Sequence, residues 1–261
     1  MLSEKAKTMS KDNSLYRVMT LEQFIDMMAG RFRKKSESEL PLNTLVRPWM
    51  WEDPYEKLLK DIKVSQAQFH FERWFGQCWS LTEENDSLWR MVSQNKAIRC
   101  VRIKVSIDNL KDSLRTFNAD NAYFLLDAVN YLNEVDIDYF VETSSHIPKY
   151  AKIFPKLKEY ELGAESIILL TKRPAFWSEN EVRLLVYDKR AKAKHETWSY
   201  DFDVNKYVEE IVFDPWTPDY YYDSYRILLE RIGVEDVKKK VKFSKLYKPL
   251  TIKENNNTRI K

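Results

Sequence analysis

Alternating apolar and polar positions predict most of the strands in this chain. In "IRCVRIKVS", Val101, Ile103 and Val105 alternate with Arg102 and Lys104, which is typical of a strand with one buried face. Similar runs predict further strands in "LYRVM" from Leu15, "FGQCWSLT" from Phe75, "SIILLTKR", "EVRLLVYDKR", "TWSYDFDV", "YVEEIVFDP" and "VKFSKLY". A β-sheet is therefore expected to form the centre of the molecule.

Helical spacing and capping residues predict the elements between these strands. Thr20 and Gln23 form a capping box before a first helix. Asp53 and Pro54 are suited to begin a second helix, where Glu56 completes the capping box. Four helices are predicted after the first: over Tyr55–Ile62, through Leu88, Trp89 and Val92, from Ser106 or Asp108 through Leu114, and over Asp223–Ile232.

The order of these elements favours one α+β domain. Neither internal repeats nor a linker rich in Gly, Ser or Pro divides the chain. Residues 119–158 mix apolar and polar stretches, and we interpret them as a helical insertion. We therefore predict a single α+β domain over 14–250, with a mixed, split β-sheet and flanking helices. Flexible tails are expected at 1–13 and 251–261.

Composition excludes several classes of protein. The 261 residues are 44% hydrophobic and 14% aromatic, enough to build a core, which excludes a disordered chain. The net charge of +3 does not indicate a polyanion-binding protein as a whole. The four glycines are all isolated, which excludes the glycine-rich phosphate loops of Rossmann and P-loop proteins. A phosphate-bearing ligand would then be held by side chains such as arginine.

The absence of recognisable targeting signals and the low cysteine content favour a cytoplasmic protein. No apolar run approaches the roughly 18 residues needed to span a bilayer. The N-terminal segment lacks the apolar centre of a signal peptide. Cys78 and Cys100 are too few for a disulfide framework, which fits a reducing cytosol. We expect no membrane partner, and the oligomeric state stays open.

Glu179 and Glu181 are the strongest candidates for chemistry. They lie two residues apart at the start of a strand and are expected to point to one side. Paired carboxylates suit general-base catalysis, metal binding or hydrogen bonding to a ribose diol. The alternative is an exposed strand face with ion pairs, in which Lys172, Arg173 and Arg183 would be the cations.

Other features have structural explanations that we favour. Cys78, beside Trp79, is typical of a buried small hydrophobe, and the spacing of the three histidines indicates no zinc site. The lysines between 238 and 248 favour a solvated strand edge over contacts with a phosphate backbone. The tyrosines of "DPWTPDYYYDSY", from Asp214, favour a cap on the core over a surface for stacking bases.

Six short motifs occur in an order that is typical of one protein family. They are "LYR", "RPWMWEDPYE", "FGQCWS", "SLWRMVS", "KRPAFWSENEVRLL" and "VKFSKLY". In this order they resemble, over most of the chain, the bacterial and phage domain-of-unknown-function family 2971. Val92 is a departure, because that family has a tyrosine there. The resemblance implies functional positions at Tyr16, Arg17, Trp51, Asp53, Glu56, Trp79, Ser80, Trp89, Lys172, Glu179, Glu181 and Arg183.

The order of Arg17, Ser80 and the later acidic pair also resembles that of ADP-ribosyltransferases of the Arg-Ser-Glu type. The resemblance implies that Arg17 pairs with the pyrophosphate of NAD and that Ser80 builds the nicotinamide pocket. It also implies that Glu181 stabilises positive charge as nicotinamide leaves, with Glu179 assisting. These roles require the arginine, the serine and the glutamate to face one cleft with Trp51. The rings expected to stack on nicotinamide or adenine are those of Tyr16, Trp51 and Trp79.

These observations lead to one main hypothesis and two alternatives. The main hypothesis is an ADP-ribosyltransferase-like effector of the toxin or phage-defence type that binds or consumes NAD. Its acceptor would be a nucleic acid or a protein. The first alternative is a nucleic-acid-binding or metal-dependent nuclease module, built on Asp53, Glu56, Glu179 and Glu181. The second is a ligand-sensing or interaction domain without turnover.

Overall fold

The structure, a computed structural model, describes residues 13–30, 42–51, 53, 70–115, 122–133 and 163–248. The strands are β1 (Ser14–Thr20), β2 (Leu42–Val46), β3 (Trp74–Ser80), β4 (Cys100–Ser106), β5 (Ala122–Ala128), β6 (Asn130–Tyr131), β7 (Thr171–Lys172), β8 (Glu181–Asp188), β9 (Thr197–Asp201), β10 (Val208–Phe213) and β11 (Val241–Phe243). The α-helices are α1 (Leu21–Ala29), α2 (Asp86–Val92), α3 (Ile107–Arg115), α4 (Gly163–Leu169), α5 (Val204–Tyr207), α6 (Tyr222–Arg231) and α7 (Val237–Lys240). Short 3-10 helices cover Pro48–Met50, Phe71–Arg73, Pro174–Glu179 and Asp219–Tyr221.

Nine strands form one sheet, in the order β11-β10-β4-β1-β3-β2-β9, with β8 beside β3 and β5 beside β8. The β10–β11 pair is parallel, and the other pairs within this sheet are antiparallel. A separate two-stranded sheet pairs β6 with β7. The prediction of a single α+β domain with a mixed sheet is confirmed. The helix predicted over Tyr55–Ile62 lies outside the described residues. So do the two predicted tails, except for Asn13.

The sheet divides at β3. One edge of β3 pairs with β8 along its whole length, from Trp74↔Tyr187 to Ser80↔Glu181. The opposite edge is shared, because β1 meets β3 at Tyr16↔Ser80 and β2 meets it at Val46↔Gly76. β1 and β2 therefore leave the same edge of β3 at different points, which splits the sheet.

The first helix begins and ends where the sequence predicts. The hydroxyl of Thr20 accepts a hydrogen bond from the backbone N–H of Gln23 at 3.1 Å, and the Gln23 side chain accepts one from the Thr20 N–H at 3.0 Å. Gly30 follows the helix in the left-handed conformation, with φ of 59°. α1 thereby connects β1 to the segment that leads to β2.

The predicted strand "SIILLTKR" is wrong over most of its length. Ser166–Leu169 belongs to α4, Leu170 lies in a turn, and only Thr171–Lys172 forms a strand. Ile168 and Leu169 are buried against the second core cluster, described below. A short apolar run that is buried on several sides has neither helical nor strand periodicity, so its pattern could not separate the two.

The predicted helical insertion at 119–158 is also wrong where the structure describes it. Ala122–Ala128 forms the strand β5, which pairs with β8 from Ala122↔Asp188 to Ala128↔Val182. The partner lies about sixty positions along the chain, so local spacing carried no signal of the pairing. The part of this prediction over 134–158 lies outside the described residues.

The sheet buries apolar residues on both faces. The larger cluster packs Phe24 of α1, Leu110 of α3 and Leu229 of α6 against the strands. A smaller cluster packs residues of α4 and the ring of Trp51 against β3 and β8. None of the described helices is long and apolar enough to cross a membrane.

Arg102 corrects the prediction that β4 has one solvated face. It is only 2% exposed, because side chains of the neighbouring strands, Tyr16 of β1 and Glu210 of β10, lie against it. Its guanidinium donates to the carboxylate of Glu210, which also binds Lys242. The same guanidinium lies 5.0 Å from the ring centre of Tyr16. A buried ion pair therefore holds β4, β10 and β11 together.

We predict that Glu210→Gln lowers the free energy of unfolding by about 3 kcal/mol, because Arg102 would stay buried without its closest carboxylate. Denaturant unfolding measures this change. The neighbouring Glu209→Gln is the matched control: Glu209 is 41% exposed and 3.9 Å from Lys104. It should change stability by less than about 0.5 kcal/mol. Equal losses in the two variants would contradict the buried pair.

Candidate functional site

A cavity of about 680 Å3 opens where β1 and β2 diverge from β3. We call it the split cavity. Gly76, Cys78 and Ser80 line it from one face of β3, and Gln77 and Trp79 from the other. Both faces contribute because the cavity lies at the edge of the strand.

Nine of the eleven predicted site residues that the structure describes line the split cavity: Tyr16, Arg17, Trp51, Asp53, Trp79, Ser80, Lys172, Glu179 and Glu181. Arg17, Trp51, Ser80 and Glu181 thus share one cleft. Trp89 and Arg183 are fully buried and do not line it. Glu56 lies outside the described residues.

Lys172 connects the two candidate carboxylates. Its Nζ lies 2.6 Å from Oε2 of Glu179 and 3.0 Å from Oε2 of Glu181. Asn180, between the glutamates, adopts a left-handed conformation with φ of 45°, which asparagine tolerates better than most residues. Glu179 and Glu181 are 9% and 3% exposed, so the alternative of an exposed strand face is wrong, although the ion pairs it assumed are present.

Arg183 completes this cluster. Its Nε lies 2.7 Å from Oε1 of Glu181 and its Nη2 lies 3.3 Å from Oε2. Its Nη1 donates to the backbone carbonyl of Leu169, the last residue of α4, at 2.6 Å. Arg183 therefore acts through Glu181 and α4, because it has no surface of its own on the split cavity.

The surroundings move the pKa values of the two glutamates in opposite directions. Burial acts to raise the pKa of Glu181, but the charges of Arg183 and Lys172 outweigh it and lower the pKa to about 2. Burial raises the pKa of Glu179 above its ordinary value, against the opposing effect of Lys172. Glu181 is therefore a permanent anion, whereas Glu179 is the better proton acceptor.

Ser80 positions the segment that carries Glu179. Its hydroxyl donates to the backbone carbonyl of Glu179 at 2.7 Å and accepts from the backbone N–H of Thr82 at 3.0 Å. Ser80 is 3% exposed. The hydroxyl thus holds the acidic segment against the end of β3.

Arg17, on β1, brings a positive charge to the lining of the split cavity. Its Nη1 donates to Oδ1 of Asn43 at 3.3 Å, and Asn43 in turn accepts from Nε2 of Gln77 at 2.6 Å. Within the part of the chain that the structure describes, no carboxylate lies within ion-pair distance of Arg17. Burial lowers the pKa of Arg17 to about 10, so the guanidinium stays charged at neutral pH. A partly buried cation that bonds the amide of Asn43, and no carboxylate among the described residues, is suited to an anionic ligand.

Trp51 forms part of the wall over β3. The guanidinium carbon of Arg183 lies 4.1 Å from the centre of its ring. A Cβ atom at Gly76 would lie 2.3 Å from Cζ2 of Trp51, so only glycine lets the ring lie this close to the strand. Trp51 is 8% exposed, which leaves an edge toward the cavity.

Asp53 is held by Arg173, the residue that follows Lys172 in the chain. Its Oδ1 accepts from Nη2 of Arg173 at 2.7 Å, and its side chain is 2% exposed. The pairing joins the segment after Trp51 to the beginning of the Pro174–Glu179 helix. Arg173 is thus an ion-pair partner of Asp53, whereas the alternative for the acidic pair expected it to pair with the glutamates.

The predicted stacking rings are less accessible than the sequence suggested. Tyr16 is 4% exposed and Trp79 is 2% exposed, with its Nε1 donating to Gln77 at 3.0 Å. Trp89 is fully buried on the inner side of α2, which corrects its assignment to ligand binding. The half-buried ring on this cavity is Phe176, which sequence reasoning missed.

Sequence reasoning also missed several other residues in and around the split cavity. Asn43 and Gln77 are buried polar residues in otherwise apolar strands, a signal that could have revealed them. Tyr131 accepts a hydrogen bond from the backbone N–H of Glu181 at 2.9 Å, which only the fold brings about. Cys78 was expected to be buried, but it is half-buried on the cavity wall and hydrogen-bonds to Glu181.

The geometry disfavours a divalent metal between the two glutamates. The ammonium group of Lys172 contacts both carboxylates and occupies the position that a cation would take. Asp53 binds Arg173, and no group of three or more metal-binding side chains occurs among the described residues. Among the described residues, which do not include Glu56, the metal-dependent nuclease alternative therefore has no geometric support.

No protein-family model, curated protein or solved structure matches the chain. The resemblances to family 2971 and to ADP-ribosyltransferases therefore stay predictions, and the functional argument rests on the split cavity.

We predict that Gly76→Ala lowers the free energy of unfolding by about 1–3 kcal/mol, because the added Cβ forces Trp51 away from β3. Denaturant unfolding measures the loss. In a Trp51→Leu background the same change should cost much less, since the clashing ring is gone. Strictly additive losses in the double variant would show that the ring does not lie over Gly76.

Proposed function

We propose that the chain binds NAD in the split cavity and cleaves the bond between nicotinamide and ribose, as an ADP-ribosyltransferase-like enzyme. Two features that line one cavity carry the proposal. One is Arg17, which has no carboxylate partner among the described residues, and the other is the buried acidic pair of Glu179 and Glu181. The arginine suits the pyrophosphate and the acidic pair suits the reacting ribose.

The size and lining of the split cavity fit such a ligand. Its volume of about 680 Å3 falls within the range of about 300–1,000 Å3 that is usual for small-molecule sites. Phe176 offers a half-buried ring, and Met50 and Met91 are exposed by 48% and 43% at the cavity. The lining thus combines a few charged groups with apolar surface, as ligand sites generally do.

Arg17 would bind the pyrophosphate. A guanidinium can donate two parallel hydrogen bonds to phosphate oxygens, and its bond to Asn43 occupies only part of its donor capacity. Asn43 is itself fixed by Gln77 and by Tyr200, whose hydroxyl lies 2.9 Å from its Nδ2. The guanidinium is therefore held in place before a ligand arrives, which lowers the entropic cost of binding.

Glu181 would act through its charge. When bound, NAD supplies a glycosidic bond whose cleavage releases neutral nicotinamide and leaves positive charge on the ribose. Glu181 stays ionised and fixed by Arg183 and Lys172, so it needs no reorganisation to stabilise that charge. Its two oxygens are engaged by these cations, which makes it unsuited to take up a proton.

Glu179 would act as the base. Its raised pKa and its single ion pair with Lys172 make it the carboxylate that can accept a proton from an attacking water or acceptor hydroxyl. The two carboxylates then have separate roles, set by the number of cations around each.

We predict that Arg17→Gln weakens NAD binding by about ten- to a hundredfold, because a charge-assisted hydrogen bond to phosphate is lost. Isothermal titration calorimetry measures the affinity. Arg73→Gln is the matched control, since Arg73 is half-buried before β3 but does not line the cavity. Unchanged binding in the Arg17 variant, or an equal loss in the control, would contradict the assignment.

We predict that Glu179→Gln lowers nicotinamide release by at least about a hundredfold, with NAD affinity retained, because the proton acceptor is lost. The variant should fold, since Lys172 keeps its pair with Glu181. In the unchanged chain, release should fall as the pH drops through the raised pKa of Glu179, and Glu181 should add no acid limb above about pH 2. Nicotinamide release measured across pH tests both statements.

Ser178→Ala is the control for this experiment, because Ser178 is exposed on the same 3-10 helix and should release nicotinamide normally. Full activity of Glu179→Gln would remove Glu179 from the mechanism. Saturable NAD binding without any nicotinamide release by the unchanged chain would favour the ligand-sensing alternative.

A further inference from the structure

Exposed aromatic rings gather on one side of the molecule, next to the split cavity. Tyr220 and Tyr221, on the 3-10 helix before α6, are 77% and 40% exposed, and their ring centres lie 4.5 Å apart. Tyr247, on the loop after β11, is 48% exposed and lies 5.9 Å from the half-buried ring of Trp216. We call these four rings and the cations between them the aromatic–basic surface.

Cations from three elements lie among these rings. Arg90 of α2 donates to the hydroxyl of Tyr247 at 2.9 Å and lies 5.6 Å from the ring centre of Trp216. Lys96 lies 5.2 Å from the same ring, and Lys248 lies 5.3 Å from the ring of Tyr222. Rings and positive charges thus alternate across the surface.

The charge balance of the aromatic–basic surface is positive. Asp86 pairs with Arg90 at 2.8 Å and Asp219 pairs with Lys248 at 3.6 Å. Lys96 is exposed and has no carboxylate within ion-pair distance in the described ranges. Three cations against two carboxylates leave this surface with a net positive charge, which favours an anionic partner.

The tyrosines of this segment divide into two groups. Tyr222 and Tyr225 stack on Phe243 and Phe213, with ring centres 3.4 Å and 4.6 Å apart, and so extend the core as the sequence favoured. Tyr221 also stacks on Tyr225, with ring centres 5.5 Å apart, but 40% of its surface stays exposed, and Tyr220 is 77% exposed. Exposed aromatic groups that cluster in this way are typical of binding surfaces.

We infer that the aromatic–basic surface binds single-stranded nucleic acid. Unpaired bases stack on the rings of Tyr220, Tyr221 and Tyr247, and the phosphates contact Lys96 and Lys248. Proteins that bind single strands combine aromatic platforms with positive charge in this manner, without requiring a particular sequence. Protein–protein interfaces are depleted in lysine, so the lysines among these rings argue against a protein partner.

The surface leads to the mouth of the split cavity. Met91 of α2 lines the cavity and is 43% exposed, next to Arg90 of the aromatic–basic surface. The aromatic–basic surface and the split cavity therefore meet at α2. One further step rests on the proposed function: the bound nucleic-acid strand is the acceptor of the ADP-ribose.

Fluorescence anisotropy with a labelled single-stranded oligonucleotide of about 15 nucleotides tests the inference without NAD. We expect saturable binding that weakens as salt rises, and weaker binding of a duplex, whose bases cannot stack on the rings. A Tyr220→Ala/Tyr221→Ala variant should bind at least about tenfold more weakly. Lys96→Gln should reduce the slope of log affinity against log salt by about one.

Tyr123→Ala and Lys189→Gln are the matched controls. Tyr123 is 49% exposed with Lys189 4.8 Å from its ring centre, but it lies on β5, at the opposite side of the sheet from β11. These variants should bind as the unchanged chain does. The inference is overturned if the unchanged chain does not bind the strand, if the duplex binds equally well, or if the Tyr220/Tyr221 variant binds normally. Because no NAD is present, these outcomes are independent of the proposed function.

Discussion

The buried carboxylate of Glu181, held between Arg183 and Lys172, is the interaction on which the candidate site depends. Burying a charge is costly unless it is paired and hydrogen-bonded, and Glu181 receives bonds from both cations. Arg183 also bonds the end of α4 and lies against Trp51, while Lys172 bonds Glu179. One charge cluster thus fixes β7, β8, α4 and the acidic segment relative to one another.

The second constraint is the shared edge of β3. Because β8 occupies one edge completely, β1 and β2 must divide the other, and the space between them becomes the split cavity. This brings the cation of Arg17 and the anion of Glu181 to walls of the same cavity, with the Asn43–Gln77 pair fixing the former. A dinucleotide, which carries negative pyrophosphate and reacts at a ribose, matches that distribution of charge.

Local patterns predicted the elements whose environment is simple. Thr20 and its capping box, and the strand that begins at Glu181, are specified by nearby residues alone. The helix of α4, the pairing of β5 and the burial of Arg102 depend on distant partners that leave no local periodicity. At the site, the acidic pair and Arg17 could be recognised from residue type and order. That Ser80 positions Glu179, and that the predicted rings are largely buried, follows from packing that only the fold determines.

A crystal structure of the chain with NAD tests whether Arg17 and Glu181 act on one bound dinucleotide. We expect pyrophosphate oxygens against the guanidinium of Arg17 and the nicotinamide ribose beside Glu179 and Glu181. A dinucleotide bound outside the split cavity, or bound inside it without contact to Arg17, would show that these residues do not act together.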